Sequence, residues 1–315
     1  MHSSRLSALV VLAGLHLSAS CSDTASLAST SSSDPNVEVR VQALLKKVKQ
    51  SMRPLKGGSF EMGDWGNEDG VPYDFDAYSR PLHKVTLDGF SMMAYKVTFE
   101  DFDVFTDAVG KARIDMRERD LKDRAPKRPA GVSWYGAKAY CAWLAERSGL
   151  PFDLPTEAQW EYAARSGGRK VLFATDSGKI ERGKNFPKKW IYGEKKPPVS
   201  DVGTYPPNPA GLFGMSEDTS EWVNDWFSED YYKTSSVKNP SGPITGTKKV
   251  MRGSVGGTAE IAAMVFMRIG SDPQPMISTF PNGVTFEEVM IPFPEYSGFN
   301  VENFRCARNE TTMKR

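Results

Sequence analysis

Histidine, cysteine and net charge are all scarce. The chain of 315 residues holds three histidines and three cysteines. His2 and His16 fall within the first twenty residues, so His83 alone remains for a folded body. A single histidine excludes a multi-histidine metal site and the common zinc sets. Any Ser-His-Asp or Cys-His chemistry would have to run through His83. Lysine and arginine number 40 against 39 aspartates and glutamates. That balance excludes the basic excess of a nucleic-acid binder. Beyond the leader no run is long and apolar enough to span a bilayer. With 39% hydrophobic and 25% charged residues, the composition is that of an ordinary globular protein.

What is present begins with that leader. Residues 1–20 carry Arg5, no acid, and an apolar run from Leu6 to Leu17 followed by small residues. The run is too short for a fixed span and reads as a secretory signal. Ser18-Ala19-Ser20 leads directly into Cys21. The arrangement resembles a bacterial lipobox, although Leu17 stands one place further from the cysteine than usual. The expectation is lipidation of Cys21 as the new N-terminus, in preference to a plain signal with a stray cysteine. Ser22 in place of Asp implies, by that resemblance, the periplasmic side of the outer membrane. Residues 21–36 are rich in Ser and Thr and read as a flexible tether reaching on the order of 20 Å. The lipid would be the only membrane contact.

Val37, Val41, Leu44, Leu45, Val48 and Met52 recur at helical spacing, with Arg40, Lys46, Lys47 and Lys49 on the other face. This predicts an amphipathic helix over 37–52; a basic helix beside a lipid anchor can touch anionic lipid, but the expectation here is packing on its own domain. Short strands are predicted after Gly57-Gly58 and over His83–Leu87. Thr98 and Ser133 read as helix caps, with Gly110 and Gly149 as stops. Thr156 and Gln159 form a capping box for a helix running to Arg165. After residue 170 helical signals fade. The pattern predicts one α+β domain over 53–309 and a short tail, 310–315.

The run Gly131-Val132-Ser133-Trp134-Tyr135-Gly136-Ala137 is followed by Leu154-Pro155-Thr156-Glu157-Ala158-Gln159-Trp160-Glu161-Tyr162. Then come Asn208-Pro209-Ala210-Gly211-Leu212-Phe213-Gly214, Glu221-Trp222-Val223-Asn224-Asp225-Trp226, Arg252-Gly253-Ser254 and Phe304-Arg305-Cys306. Blocks of this kind in this order resemble the sulfatase-modifying-factor, or formylglycine-generating-enzyme, family over about residues 53–309. The resemblance implies an irregular, C-type-lectin-like α+β single domain. The family includes copper-dependent oxidases that turn a target cysteine into formylglycine, maturation enzymes, and members that have lost catalysis. Membership alone therefore does not settle function.

In the oxidases two cysteines following the Arg-Gly-Gly-Ser motif hold copper(I), which takes soft ligands. Counted on from Ser254, those positions fall near Gly257 and Ala262, neither of which has a ligating side chain. The resemblance also implies a disulfide between Cys141 and Cys306, which an exported chain can form. The family's second disulfide would begin near Ala164, and its cysteine is absent. Copper is therefore not expected. Calcium needs hard oxygen ligands, and by the resemblance these would be Asn185, Asp218 and Glu221. The alternative is an acidic turn closing a core around Trp222 and Trp226.

Asp64, Glu68, Asp69, Asp74 and Asp76 read as a solvated acidic loop. The glycines from Gly253 to Gly257 lack the Lys-Ser/Thr of a phosphate loop. His83 is expected to be structural, and Arg268 and Arg305 to hydrogen-bond loops. Between Ser254 and Cys306 the chain is longer than most relatives, with Pro and apolar residues suited to a protein contact. The expected partner face comprises Ser254, Arg268, Pro275, Phe280 and Phe293. Three functions follow as expectations. The first is a non-catalytic, lipid-anchored protein that binds another protein of the periplasm or cell envelope. An envelope-machine adaptor or an immunity protein neutralising a toxin would fit. The second is a formylglycine-generating-type oxidase or maturation enzyme with non-standard metal ligands. The third is a calcium-stabilised, lectin-like surface-binding module.

Overall fold

The computed structural model describes residues 35–116, 118–188, 199–217, 219–254, 260–279 and 289–310. The leader, Cys21 and most of the tether lie outside these residues, as do Asp218, Gly257 and Phe280. Residues Ser32–Arg315 fall into one unit. Among the described residues no helix is long and apolar enough to cross a membrane.

Helix α1 spans Pro35–Ser51, two residues earlier than the spacing predicts at its start and one shorter at its end. It buries Val41, Leu44 and Val48 on one stripe. Met52, expected to close the helix, instead opens β1 (Met52–Leu55). Strands β2 (Gly58–Met62) and β3 (His83–Leu87) pair antiparallel, Phe60 opposite Val85. Strand β4 (Phe90–Met93) follows. Helix α2 (Phe99–Ala108) is capped by Thr98, whose side chain accepts from Asp101 N. A single turn, α3, covers Glu118–Leu121. Helix α4 (Trp134–Ser148) is capped by Ser133 and ends on Gly149 at φ +68°, the left-handed stop that glycine takes without strain. Strand β5 is Phe152–Asp153, and α5 is Glu157–Ala164 with the expected capping box.

Beyond α5 come β6 (Ser220–Trp226), β7 (Lys249–Gly253), β8 (Arg268–Ser271), β9 (Met276–Thr279), β10 (Val289–Pro292), β11 (Glu302–Asn303) and β12 (Ala307–Asn309). One sheet runs β1-β4-β12-β5 and another β11-β6-β7-β8. The β11–β6 pair is parallel and only two residues long. Strands β9 and β10 form a hairpin of their own within the long segment before Cys306. The result is an irregular α+β domain.

The side chains gather into two cores. One packs α1, α2 and α4 through Val41, Leu44, Phe102, Phe105, Tyr140 and Leu144 against Phe304. Within it Cys141 is bonded to Cys306, tying α4 to the C-terminal segment across 165 positions of sequence. The other packs α5 on the β2–β3 hairpin and on β7, through Trp160, Tyr162, Phe60, Val85 and Val250.

Candidate functional site

Helix α5 is a short helix with two acids, Glu157 and Glu161, one turn apart. Arginines of two strands, Arg252 on β7 and Arg268 on β8, converge on them, together with Arg165 at the end of the helix itself. Glu157 Oε1 accepts from Arg268 Nε at 2.6 Å and Arg252 Nη1 at 3.0 Å, and its Oε2 accepts from Arg268 Nη2 at 3.0 Å. Glu161 Oε2 accepts from Arg252 Nη2 at 2.6 Å, and its Oε1 from Arg165 Nη1 at 2.9 Å. None of these five side chains is more than 3% exposed. Burial acts to raise the Glu157 pKa, but Arg268 and Arg252 overcome it and hold the carboxyl below its ordinary value. For Arg252 burial acts the other way, and Tyr232, Glu161 and Glu157 outweigh it, so its pKa is raised.

The free guanidinium edges turn to backbone. Arg252 donates to Val265 O at 2.6 Å, Arg268 to Tyr78 O at 3.1 Å and Ser228 O at 3.0 Å, and Arg165 to Glu61 O at 2.7 Å. Irregular chain leaves carbonyls without a ladder partner, and these arginines supply one. A second set repeats the design. Glu221 on β6 gives both oxygens to Arg305, which also donates to Ala94 O at 2.9 Å and Phe213 O at 2.6 Å.

Strand β7 delivers the chain to the place where the resemblance puts the metal cysteines. Gly253 has φ +94°, and a Cβ there would stand 3.2 Å from Met215 O. Ser254 is buried, and its carbonyl accepts from Ser220 Oγ at 3.0 Å. Residues 255–259 lie outside the described residues. A 3-10 turn, Glu260–Ala263, then resumes the chain with Ala262 half-buried. Nearby, buried Lys96 donates to Thr219 Oγ1 at 2.5 Å. The concavity beside Lys96, Phe213 and Thr219 has a volume of about 20 Å³, enough for a single water.

The donor chemistry here does not fit copper. The sequence has no cysteine between Cys141 and Cys306, and these two are bonded to each other. Among the described residues no group of three or more His, Cys, Asp or Glu is placed to hold a metal ion. Two of the three residues named for calcium are among the described residues, and both already have protein partners. Glu221 is fully buried with both oxygens taken by a guanidinium, whose charge opposes a cation. Asn185 Oδ1 accepts from Glu181 N at 2.7 Å while its Nδ2 donates to Asp176 Oδ1 at 2.7 Å, so the amide closes its own loop.

The expected partner face is corrected too. Ser254, Arg268, Pro275 and Phe293 are buried, because each serves the packing or hydrogen bonding of the chain around it. Among the described residues of that segment, the large apolar side chains left exposed are Met276, Met290, Ile291, Phe299 and Val301. The acidic loop is likewise not wholly solvated. Asp64 and Asp74 are buried and accept backbone N–H groups, Asp64 from Gly66 and Tyr73, Asp74 from Asp76 and Ser79. His83 lies on β3 with its ring 4.5 Å from that of Tyr232.

Sequence reasoning missed three titratable groups. Asp225 is fully buried, and burial, with Glu157 beside it, lifts its pKa to about 7. Lys249 Nζ sits 3.6 Å from the Trp226 ring centre and 4.0 Å from that of Trp134, and burial lowers its pKa to about 8. Glu302 rises to about 7, again chiefly through burial. The only signal was Asp225 lying between two tryptophan-bearing positions of one strand.

An irregular α+β body pinned by buried arginine–glutamate pairs is the class of domain defined here. The chain matches the sulfatase-modifying factor enzyme 1-like domain over residues 41–279 and belongs to that family. It is 32% identical over 250 residues to the formylglycine-generating enzyme of Streptomyces coelicolor, covering 63% of this chain and 76% of that protein. It is also 32% identical over 220 residues to the serine/threonine-protein kinase pkn1 of Chlamydia pneumoniae. That match takes in 63% of this chain but spans only 32% of the kinase's length. The structure of PvdO from Pseudomonas aeruginosa shares the fold, with a TM-score of 0.61 at 23% identity, covering 82% of this chain and 94% of that one.

Proposed function

We propose that this chain is a non-catalytic member of its family, exported, lipid-anchored through Cys21 on the periplasmic side of the outer membrane, and devoted to binding a protein partner. One observation carries the loss of catalysis. The two cysteines of the domain, Cys141 and Cys306, are spent on a disulfide, so no thiolate pair remains there for copper(I). The leader ending on Cys21 supports export and anchoring. The apolar residues left exposed on and beside the β9–β10 hairpin support a protein contact. An adaptor of an envelope assembly or a protein that neutralises an exported toxin fits this reading.

The test uses the chain from residue 22 onward. It is supplied with copper(I), oxygen and a peptide carrying Cys-x-Pro-x-Arg, and the peptide is followed by mass spectrometry. The expected result is an unchanged cysteine. Conversion to the aldehyde overturns the reading and favours an oxidase with other ligands.

A further inference from the structure

A groove of about 660 Å³ lies between α1, the end of α4 and the β1-β4-β12-β5 sheet. Its floor is apolar, with Val48, Leu144 and Phe152 buried beneath it. Lys46, Lys49, Arg147 and Arg308 stand along it, and no carboxylate is among its lining residues. Arg147 pairs with Glu38 outside the groove, and Arg308 reaches Ser91 Oγ at 3.4 Å. Lys46 and Lys49 are exposed, and no described acid pairs with either. In a chain of 40 bases and 39 acids, four cations on one concavity, with only Arg147 paired to a described acid, are a local excess. The groove is therefore complementary to a ligand with an anionic head and an apolar stem.

We infer that this groove takes an anionic phospholipid of the bilayer, its phosphate against Lys46 and Lys49 and its apolar stem on the floor. The location of that bilayer rests on the reading of Cys21 as the anchor; the chemistry of the groove does not. Only residues 22–34 lie between Cys21 and Pro35, and even fully extended they reach no further than about 50 Å. Helix α1 is thus the element of the fold closest along the chain to the anchor. Tethering raises the local concentration of lipid at the groove, and lysines close to an anionic surface add to binding individually. An acidic amphipathic peptide would satisfy the same charges, but nothing brings such a peptide to α1 as the tether brings the membrane.

The chain from residue 22 carries no lipid of its own, so it tests the groove apart from the anchor. Its partition is measured by co-sedimentation with phosphatidylcholine vesicles and with vesicles in which a third of the lipid is phosphatidylglycerol. Binding is expected only with phosphatidylglycerol, and it should weaken as salt is raised. The double variant Lys46→Glu, Lys49→Glu should lose at least about tenfold in partition. Lys179→Glu with Lys248→Glu, the same charge change on exposed lysines outside the groove, should lose far less. Both doubles alter exposed side chains and should melt as the parent does; the salt dependence of the parent stands whether or not a variant folds. Equal binding to neutral vesicles, or equal loss in the two doubles, overturns the inference. So does failure on vesicles with uptake of an acidic amphipathic peptide instead. Lipidation of Cys21 is read separately, from the mass of the exported protein.

Discussion

Arg305 and Glu221 meet edge to edge, with Nε to Oε2 at 2.7 Å and Nη2 to Oε1 at 2.8 Å, and both side chains are wholly out of water. The pair joins the segment carrying Cys306 to β6. Removing one partner would leave the other charge buried and alone, which costs about 3–5 kcal/mol. Glu221→Gln should therefore lower unfolding free energy by that order in urea melts. Arg147→Ala, which breaks a partly exposed pair with Glu38, should cost about 0–1 kcal/mol.

The Cys141–Cys306 bond closes a loop of sequence separation 165. A cross-link of that kind restricts the unfolded chain and contributes roughly 2–5 kcal/mol. Replacing both cysteines by serine should lower the melting temperature clearly. Adding reductant to the parent should lower it by a similar amount, and should not change the melting of the variant.

Asp225 and Glu302 bear on stability in the sense opposite to that of ordinary paired carboxylates. Burial raises each to about 7, from 3.8 and 4.5 respectively. The folded state therefore holds these protons more tightly than the unfolded state. Their effect is a loss of stability as pH rises from the usual carboxylate range toward 7, at most about 1.4 kcal/mol per pH unit for each group. Lys249, lowered to about 8, imposes its own cost below that pH and releases it as the pH climbs toward the usual lysine range. Asp225→Asn keeps an oxygen for Glu157 N and should flatten the decline between pH 4 and 7, read as unfolding free energy against pH. A variant as steep as the parent would show that Asp225 does not titrate there.

The helices were legible because their signals are local. Thr98, Ser133 and Thr156 each satisfy an N–H three residues away, and Gly149 stops α4 through its own backbone. The sheets were far less so. Strands β5 and β11 have two residues each, and their partners β12 and β6 lie far off in sequence. No alternation can appear over that length. Asp64 and Asp74 looked solvated because the run is acidic, yet turns fold N–H groups onto both carboxylates. Arg268 bonds the loop carbonyls of Tyr78 and Ser228 as expected, but nothing near it in sequence shows that Glu157 lies opposite, so it was also placed on a partner face. Burial of such residues is decided by long-range packing, whereas caps and stops are decided within one turn.

Because Cys141 and Cys306 are bonded to each other, we propose that the chain does not hold copper(I) as the oxidases of its family do. The direct measurement is an anaerobic copper(I) titration of the oxidised chain with Cys21→Ser, against a competing chelator, repeated after reduction of the disulfide. No stoichiometric uptake by the oxidised chain is expected, with any uptake confined to the reduced form. Tight one-to-one binding by the oxidised chain would contradict it.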